Sequence, residues 1–343
     1  TVLIGASAGY SINSTNANGT VAIGTQAGYS ITSGVQNTAI GYQSGYSNLT
    51  GGYGTLLGYQ AGYNLKTDFN TAIGWQALYK IGDTAGGGHG ENNVAIGAAA
   101  MAGGDDTVAN NSGYKNVAIG TSTLGGATRS TDGDAFTGYQ NVAIGHEAGK
   151  SITSGIHNTI LGNAAGDALT SGGYHVLIGS GAGGAMTTNT LGSVAVGYNA
   201  LASQTVKGRT VAIGVQSLTA LDQTGQDDYN VAMGYRSGYT LATGLKNIFI
   251  GAFTGQETKG SQNTFVGYHA GTYAGPTSNS TYIGLFAGAY ATGSENTFVG
   301  KSAGQGGTTS APYSSGLNNT AIGTNALTAF TTATSNTAVG YES

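Results

Sequence analysis

Apolar and polar positions along the chain follow one pattern, a short apolar triplet closed by a glycine, which returns nineteen times between Thr1 and Ser343. The segment Asn37-Thr38-Ala39-Ile40-Gly41-Tyr42-Gln43-Ser44-Gly45-Tyr46 shows it in full. Taking the closing glycine (Gly41 here) as a landmark, the commonest spacing is 17 residues. The residue before the landmark is always aliphatic, as in Ile4, Leu57, Val196 and Met233, and the residue three before it is always β-branched, as in Val21, Thr38, Thr159 and Ile248. Residues two apart share one face of a strand, and β-branching suits a pleated backbone, so this pair is expected to point into an interior.

The residue between them points the other way. It is Ala in eleven coils and a larger apolar residue in the other eight, and it is never charged. A strand apolar on both faces is normally covered on both, and one coil encloses only one of them. The second stripe, which includes Ala39, Leu56, Ile160, Phe249, Phe265, Tyr282 and Phe298, is therefore expected to be an oligomer interface, because an exposed apolar stripe of that length is foreign to a monomer.

Beyond the landmark the pattern predicts a tight corner, with a small residue three on and then Gly, or Leu or Met in six coils. An aliphatic residue seven after the landmark (Ile31, Leu65, Ile152) predicts a second inward position on a shorter strand. A second glycine seven before the next landmark (Gly34, Gly51, Gly138) predicts a turn with positive φ. Asn recurs four before the landmark in twelve coils, where its amide can stack on the Asn of the next coil and its backbone can take the left-handed region. Together these columns predict an all-β fold, a parallel β-solenoid of about 19 coils, with two strands and two turns per coil.

An unbroken period makes residues 1–343 one repeat array rather than a set of domains. Longer insertions fall at 80–92, 102–115, 125–140, 219–229 and 305–318, on one edge of the coil between the second strand and the second glycine, and both prolines, Pro276 and Pro312, sit in that variable segment. Thr1 opens inside a repeat and Ser343 closes on one, so the window is expected to belong to a longer array.

Composition removes several function classes. Charged residues make up 8% and the net charge is −4, so no basic face is expected to bind nucleic acid, and no apolar run approaches the roughly 20 residues of a membrane span. Cysteine is absent, which excludes disulfides, thiolate metal sites and cysteine nucleophiles. The five histidines form no catalytic or metal-binding pattern, and the acidic pairs Asp105-Asp106, Asp132/Asp134 and Asp227-Asp228 read as solvated loop charge rather than a calcium β-roll, which would carry an Asp in every turn. The chain is thus expected to be no enzyme, with no cofactor and no metal. Tyrosine is also in register, at Tyr10, Tyr29, Tyr46, Tyr63 and Tyr79 and again at Tyr42 and Tyr59, as either a stacked ladder or a sugar-binding strip.

Segments such as NTAIGYQSGY, NVAIGHEAG and NTAIGTNAL resemble the NSVAIG repeats of trimeric autotransporter adhesin heads (YadA-like) and similar repeats of phage tail fibres, across all nineteen coils. The resemblance implies a left-handed β-roll, three chains packed side by side, and display on a cell or virion surface. It further implies adhesion to a host or matrix polysaccharide or receptor. Receptor contact is then expected in the insertion loops, with Tyr114, Arg129, Asp132 and Tyr139 as candidates. The alternative is a structural filament whose exposed coil ends polymerise without a specific receptor.

Overall fold

A computed structural model describes residues 1–12, 17–82, 90–103, 111–125, 135–188, 191–205, 208–222, 227–307 and 313–343. The chain divides into two compact units, Thr1–His175 and Val176–Ser343. The first holds strands β1 (Val2–Ile4) to β9 (Thr159–Leu161) and the second β10 (Val176–Ile178) to β19 (Thr337–Val339), each three residues long. Within each unit every strand pairs in parallel with the next in sequence and in register, as in Thr38↔Thr55, Ala39↔Leu56 and Ile40↔Leu57 or Thr264↔Thr281, Phe265↔Tyr282 and Val266↔Ile283. The fold is a parallel β-solenoid, and the triplets predicted to be strands are the strands.

The faces, however, are the reverse of the sequence expectation. Ala39, Leu56, Ile160, Phe249, Phe265, Tyr282 and Phe298 are all at 0% exposure and form the core of their own chain, so they are no oligomer interface. The β-branched and aliphatic flanks point outward instead, with Leu57 at 43% and Ile250 at 39% exposure. Both faces are apolar, so alternation alone could not say which one closes.

Size variation is the mark of the inside. In all six coils with Leu or Met four after the landmark, the strand centre is Ala: Ala72/Leu78, Ala95/Met101, Ala118/Leu124, Ala195/Leu201, Ala212/Leu218 and Ala321/Leu327. In all eight coils with a large strand centre, that later position is Gly. The two positions fill one space: a Cβ on Gly62 would lie 2.8 Å from Leu56 Cδ2, and one on Gly255 would lie 2.9 Å from the Phe249 ring. Where both are small, a neighbouring coil leans in, as Leu56 does at 2.9 Å from a Cβ on Gly45. Close packing tolerates neither two large residues nor an unfilled gap.

After each landmark the chain departs from the predicted second strand. The residue two on takes left-handed φ whatever its type, from Gln26 at 56° to Arg236 at 53° and Phe286 at 56°. Turns follow, yet the coil-to-coil bonds continue, as in Gly28 N–H to Ser44 O at 2.8 Å and Ser30 N–H to Tyr46 O at 2.9 Å. Intercoil hydrogen bonding therefore does not need extended dihedrals here. Among the described residues an isolated bridge, Ala291↔Ser314, touches the second-strand column, while Tyr114↔Tyr139 and Tyr139↔Ile156 pair at a different position, six before the landmark. The aliphatic column is nevertheless inward: Ile31, Leu65, Ile152 and Leu241 are buried.

The glycines have two distinct causes. Landmark glycines have φ between 128° and 138°, and a Cβ on Gly58 would sit 2.5 Å from the Gly74 carbonyl oxygen. The second glycines do not have positive φ. They are needed because coils approach closely: a Cβ on Gly51 would be 2.6 Å from Thr67 O and one on Gly138 would be 2.7 Å from Gly155 O.

Candidate functional site

Three features beyond the core bear on what the molecule does: a buried amide ladder, a set of aromatic ladders and the outward strand face. The asparagine column supplies the first. Asn141 donates from Nδ2 to Asn116 Oδ1 at 3.1 Å and to Gly155 O at 2.8 Å, while its Oδ1 accepts from the Asn158 backbone N–H at 3.1 Å and Asn158 Nδ2 at 3.0 Å. The pattern recurs in the second unit through Asn230, Asn247 and Asn263. The left-handed residue is one position earlier than expected, at Gln36, Lys115 and His157, so Asn is selected for its amide and not for its backbone. Every polar atom of this buried column finds a partner, which rigidifies the stack.

Sequence reasoning missed a second amide ladder, which is half-buried. Gln43 donates to Gln26 at 2.8 Å, Gln60 to Gln43 at 2.8 Å and Gln76 to Gln60 at 2.7 Å. The signal was available as glutamine two after the landmark in consecutive coils.

Tyr10, Tyr29, Tyr46, Tyr63 and Tyr79 stack with centroids 5.0 to 5.1 Å apart, and Tyr42 lies 5.3 Å from Tyr59. Rings stacked this way turn their faces to each other and present only edges and hydroxyls outward. That geometry favours the structural ladder over a sugar-binding strip for these residues.

Of the predicted receptor contacts, Arg129 and Asp132 lie outside the described residues. Tyr114 and Tyr139 are brought together, stacked at 5.0 Å, with Lys115 Nζ 5.6 Å from the Tyr114 ring. The column continues through His157, edge-on to Tyr139 at 5.5 Å and stacked on Tyr174 at 5.0 Å.

The outward strand face is apolar in both units. Leu57 and Leu161 in the first, and Met233, Ile250, Ile283 and Ile322 in the second, stand exposed on it. Beside them run the residues just after the landmarks, among them Tyr42, Tyr59 and Trp75 in the first unit and Tyr198, Tyr235 and Tyr268 in the second. Ion pairs are few among the described residues: Lys150 meets Glu147 at 2.8 Å and Asp167 at 3.7 Å, and Arg209 meets Asp227 at 3.1 Å.

One titratable group is out of place. Asp228 is fully buried; its Oδ2 accepts from Gln204 Nε2 at 2.5 Å and from Thr210 Oγ1 at 3.2 Å, and its Oδ1 has no partner among the described residues. Burial pushes its carboxyl up to about 7, against the opposing pull of the Thr210 and Gln204 hydrogen bonds. No cluster of three metal-ligating side chains occurs among the described residues, and no described helix is long and apolar enough to cross a membrane. Comparison with protein-family models, with curated proteins and with solved structures finds no match for this chain.

Proposed function

We propose that the chain is a non-enzymatic segment of an adhesive fibre displayed on a cell or virion surface, with identical chains packed side by side, three to a fibre, and receptor contact made from the insertion edge. The observation that carries this reading is the outward strand face. Ile283 at 39% exposure belongs to a strand column that is aliphatic in every coil and exposed or half-buried throughout its unit, and Trp75 at 46% to a neighbouring column that is aromatic in some coils and polar in others, whereas soluble monomers keep contiguous apolar patches to a few hundred Å². A second copy suits the face because its two strand columns carry no charge and repeat in register, and in-register β-branched and aliphatic columns interlock with their like. The resemblance of the repeats to trimeric adhesin heads and tail fibres supports the subunit number and the surface location.

Native mass measurement of the full chain tests the proposal. Discrete trimers are expected, and replacing Ile250 and Ile283 together with Lys is expected to give folded monomers. A concentration-dependent ladder of masses would favour the end-to-end filament instead. Wild-type chain that stays monomeric at roughly ten times a typical micromolar interface constant would overturn side-by-side packing.

A further inference from the structure

Six residues after the landmark, the second unit carries a column that differs from the other tyrosine ladders: Thr240, Glu257, Tyr273 and Tyr290 in successive coils. Tyr273 and Tyr290 stack at 5.3 Å. The insertion at 305–318 then brings Tyr313 across both, 6.0 Å from Tyr273 and 5.9 Å from Tyr290, its plane inclined 20° and 25° to theirs. Tyr273 and Tyr313 both line a groove beside this cluster. The groove has a volume of about 410 Å³, and Tyr273, Tyr313, Glu257, Lys259, Thr240 and Thr292 line it. That is within the usual size range for small-ligand sites, roughly 300–1,000 Å³.

The polar groups of the groove narrow the ligand. The threonine hydroxyls are already committed, Thr240 donating to Gln256 O at 2.9 Å and Thr292 to Ser314 O at 3.2 Å. No hydrogen bond or ion pair among the described residues engages the Glu257 carboxylate or the Lys259 ammonium, which line the same wall with opposite charges. Burial above all, with the Glu257 charge and the other two tyrosines adding to it, pushes the Tyr273 hydroxyl up from its ordinary range, so it remains a donor. A groove with one acceptor-only group, one donor-only group and net charge near zero suits a ligand whose every polar group both donates and accepts. A charged ligand would face a like charge on one side. Aromatic walls suit an apolar ring face.

We infer that the groove bounded by Tyr273, Tyr313, Glu257 and Lys259 is a binding subsite for a neutral pyranose sugar, with hydroxyls held between carboxylate and ammonium and a C–H face packed on tyrosine. This rests on the adhesive reading above and gives it a receptor chemistry and a location, at Tyr313 and the coils that carry Thr240, Glu257, Tyr273 and Thr292.

Saturation-transfer NMR on the full chain with maltose, cellobiose and lactose as probes tests it, with a disaccharide of glucuronic acid and one of glucosamine as charged comparators. Transfer to ring C–H protons of at least one neutral disaccharide is expected. Tyr313→Ala should abolish it, Glu257→Gln should weaken binding about tenfold, and Tyr114→Ala should leave it unchanged. Circular dichroism of each variant confirms that the solenoid is intact. Absence of transfer from every neutral probe, stronger binding of a charged comparator, or unchanged transfer in Tyr313→Ala would overturn the assignment. The mass measurement is independent of it: trimers that bind none of these sugars refute the subsite alone, and sugar-binding monomers refute the packing alone.

Discussion

Exchanging the two halves of one core filling, by replacing Ala72 with Leu and Leu78 with Gly, should leave the solenoid nearly as stable as before although each change alone damages it. Both side chains are at 0% exposure, and Leu78 holds φ of 49°. Leu78→Gly alone opens a cavity, for which a buried leucine truncation costs about 2–5 kcal/mol, less about 1 kcal/mol regained by relieving left-handed backbone at a β-carbon residue. Ala72→Leu alone drives a leucine into the space of Leu78, for about 1–3 kcal/mol of overpacking. Independent effects would sum to about 2–7 kcal/mol. The double variant instead copies the preceding coil, where Leu56 faces Gly62 with 2.8 Å between its Cδ2 and a built Cβ, so a net cost under about 1.5 kcal/mol is expected. Long repeat arrays do not unfold in two states, so native-state hydrogen exchange at the amides of residues 71–79 is the suitable assay, with thermal unfolding as a check. A double variant as unprotected as the sum of the singles would refute the shared-volume account of the core.

Asp228→Asn should stabilise the protein increasingly as pH rises. The native carboxyl titrates near about 7, and an unfolded one near about 3.9, so the native state holds the extra proton between those values and wild-type stability falls as pH climbs through them. The gap between variant and wild type in thermal unfolding should grow from near zero at pH 4 to at most about 4 kcal/mol at pH 8; a constant gap would contradict the burial argument. Asn141→Asp sets an acceptor against Asn116 Oδ1 and Gly155 O and should cost about 1–3 kcal/mol in a denaturant titration, more than the same change at Asn336, which makes the equivalent bond to Asn319 Oδ1 at 2.9 Å but is only half-buried, so that water can take over the lost bond. Gly58→Ala, at φ of 137° and with its new carbon 2.5 Å from Gly74 O, should cost more than the roughly 1–3 kcal/mol of backbone strain alone and lose exchange protection in the flanking coils. Tyr282→Phe should cost about 0.5–1.5 kcal/mol, because its buried hydroxyl lies 3.4 Å from Gly293 O and is also hydrogen-bonded among Ser280, Asn296 and Thr277, whereas Tyr282→Ala should cost about 3–5 kcal/mol.

The repeat period, the strand triplets, the parallel pairing and the asparagine stack were legible because each depends on residues recurring in a fixed column. The inward face was not. Thr38 and Ile40 flank Ala39, all three tolerate burial, and hydropathy does not rank them. What distinguishes the inside is a correlation between positions six residues apart, Ala72 with Leu78 and Phe249 with Gly255, and it appears only when the columns are compared coil by coil. The second strand was misread for a related reason. Ile31 and Leu65 do face inward, but left-handed residues such as Gln26 and Gln60 carry the chain there through turns, and nothing in glutamine announces that φ. Of the candidate contacts, Tyr114 and Tyr139 could be placed beside each other from register alone, whereas Tyr313 reaches Tyr273 from a segment of irregular length that no column governs.

The left-handed residue two places after each landmark has a consequence for how such a molecule changes over generations. Its backbone is fixed by the coil while its identity ranges over Gln, Ala, Ser, Glu, Asn, Arg, Phe and His at nearly the same φ, between 50° and 57°. Surface chemistry at that column is therefore decoupled from the scaffold that holds it. Mutation can redraw what the outer edge shows to the world, charge by charge and ring by ring, while the framework underneath keeps the same path.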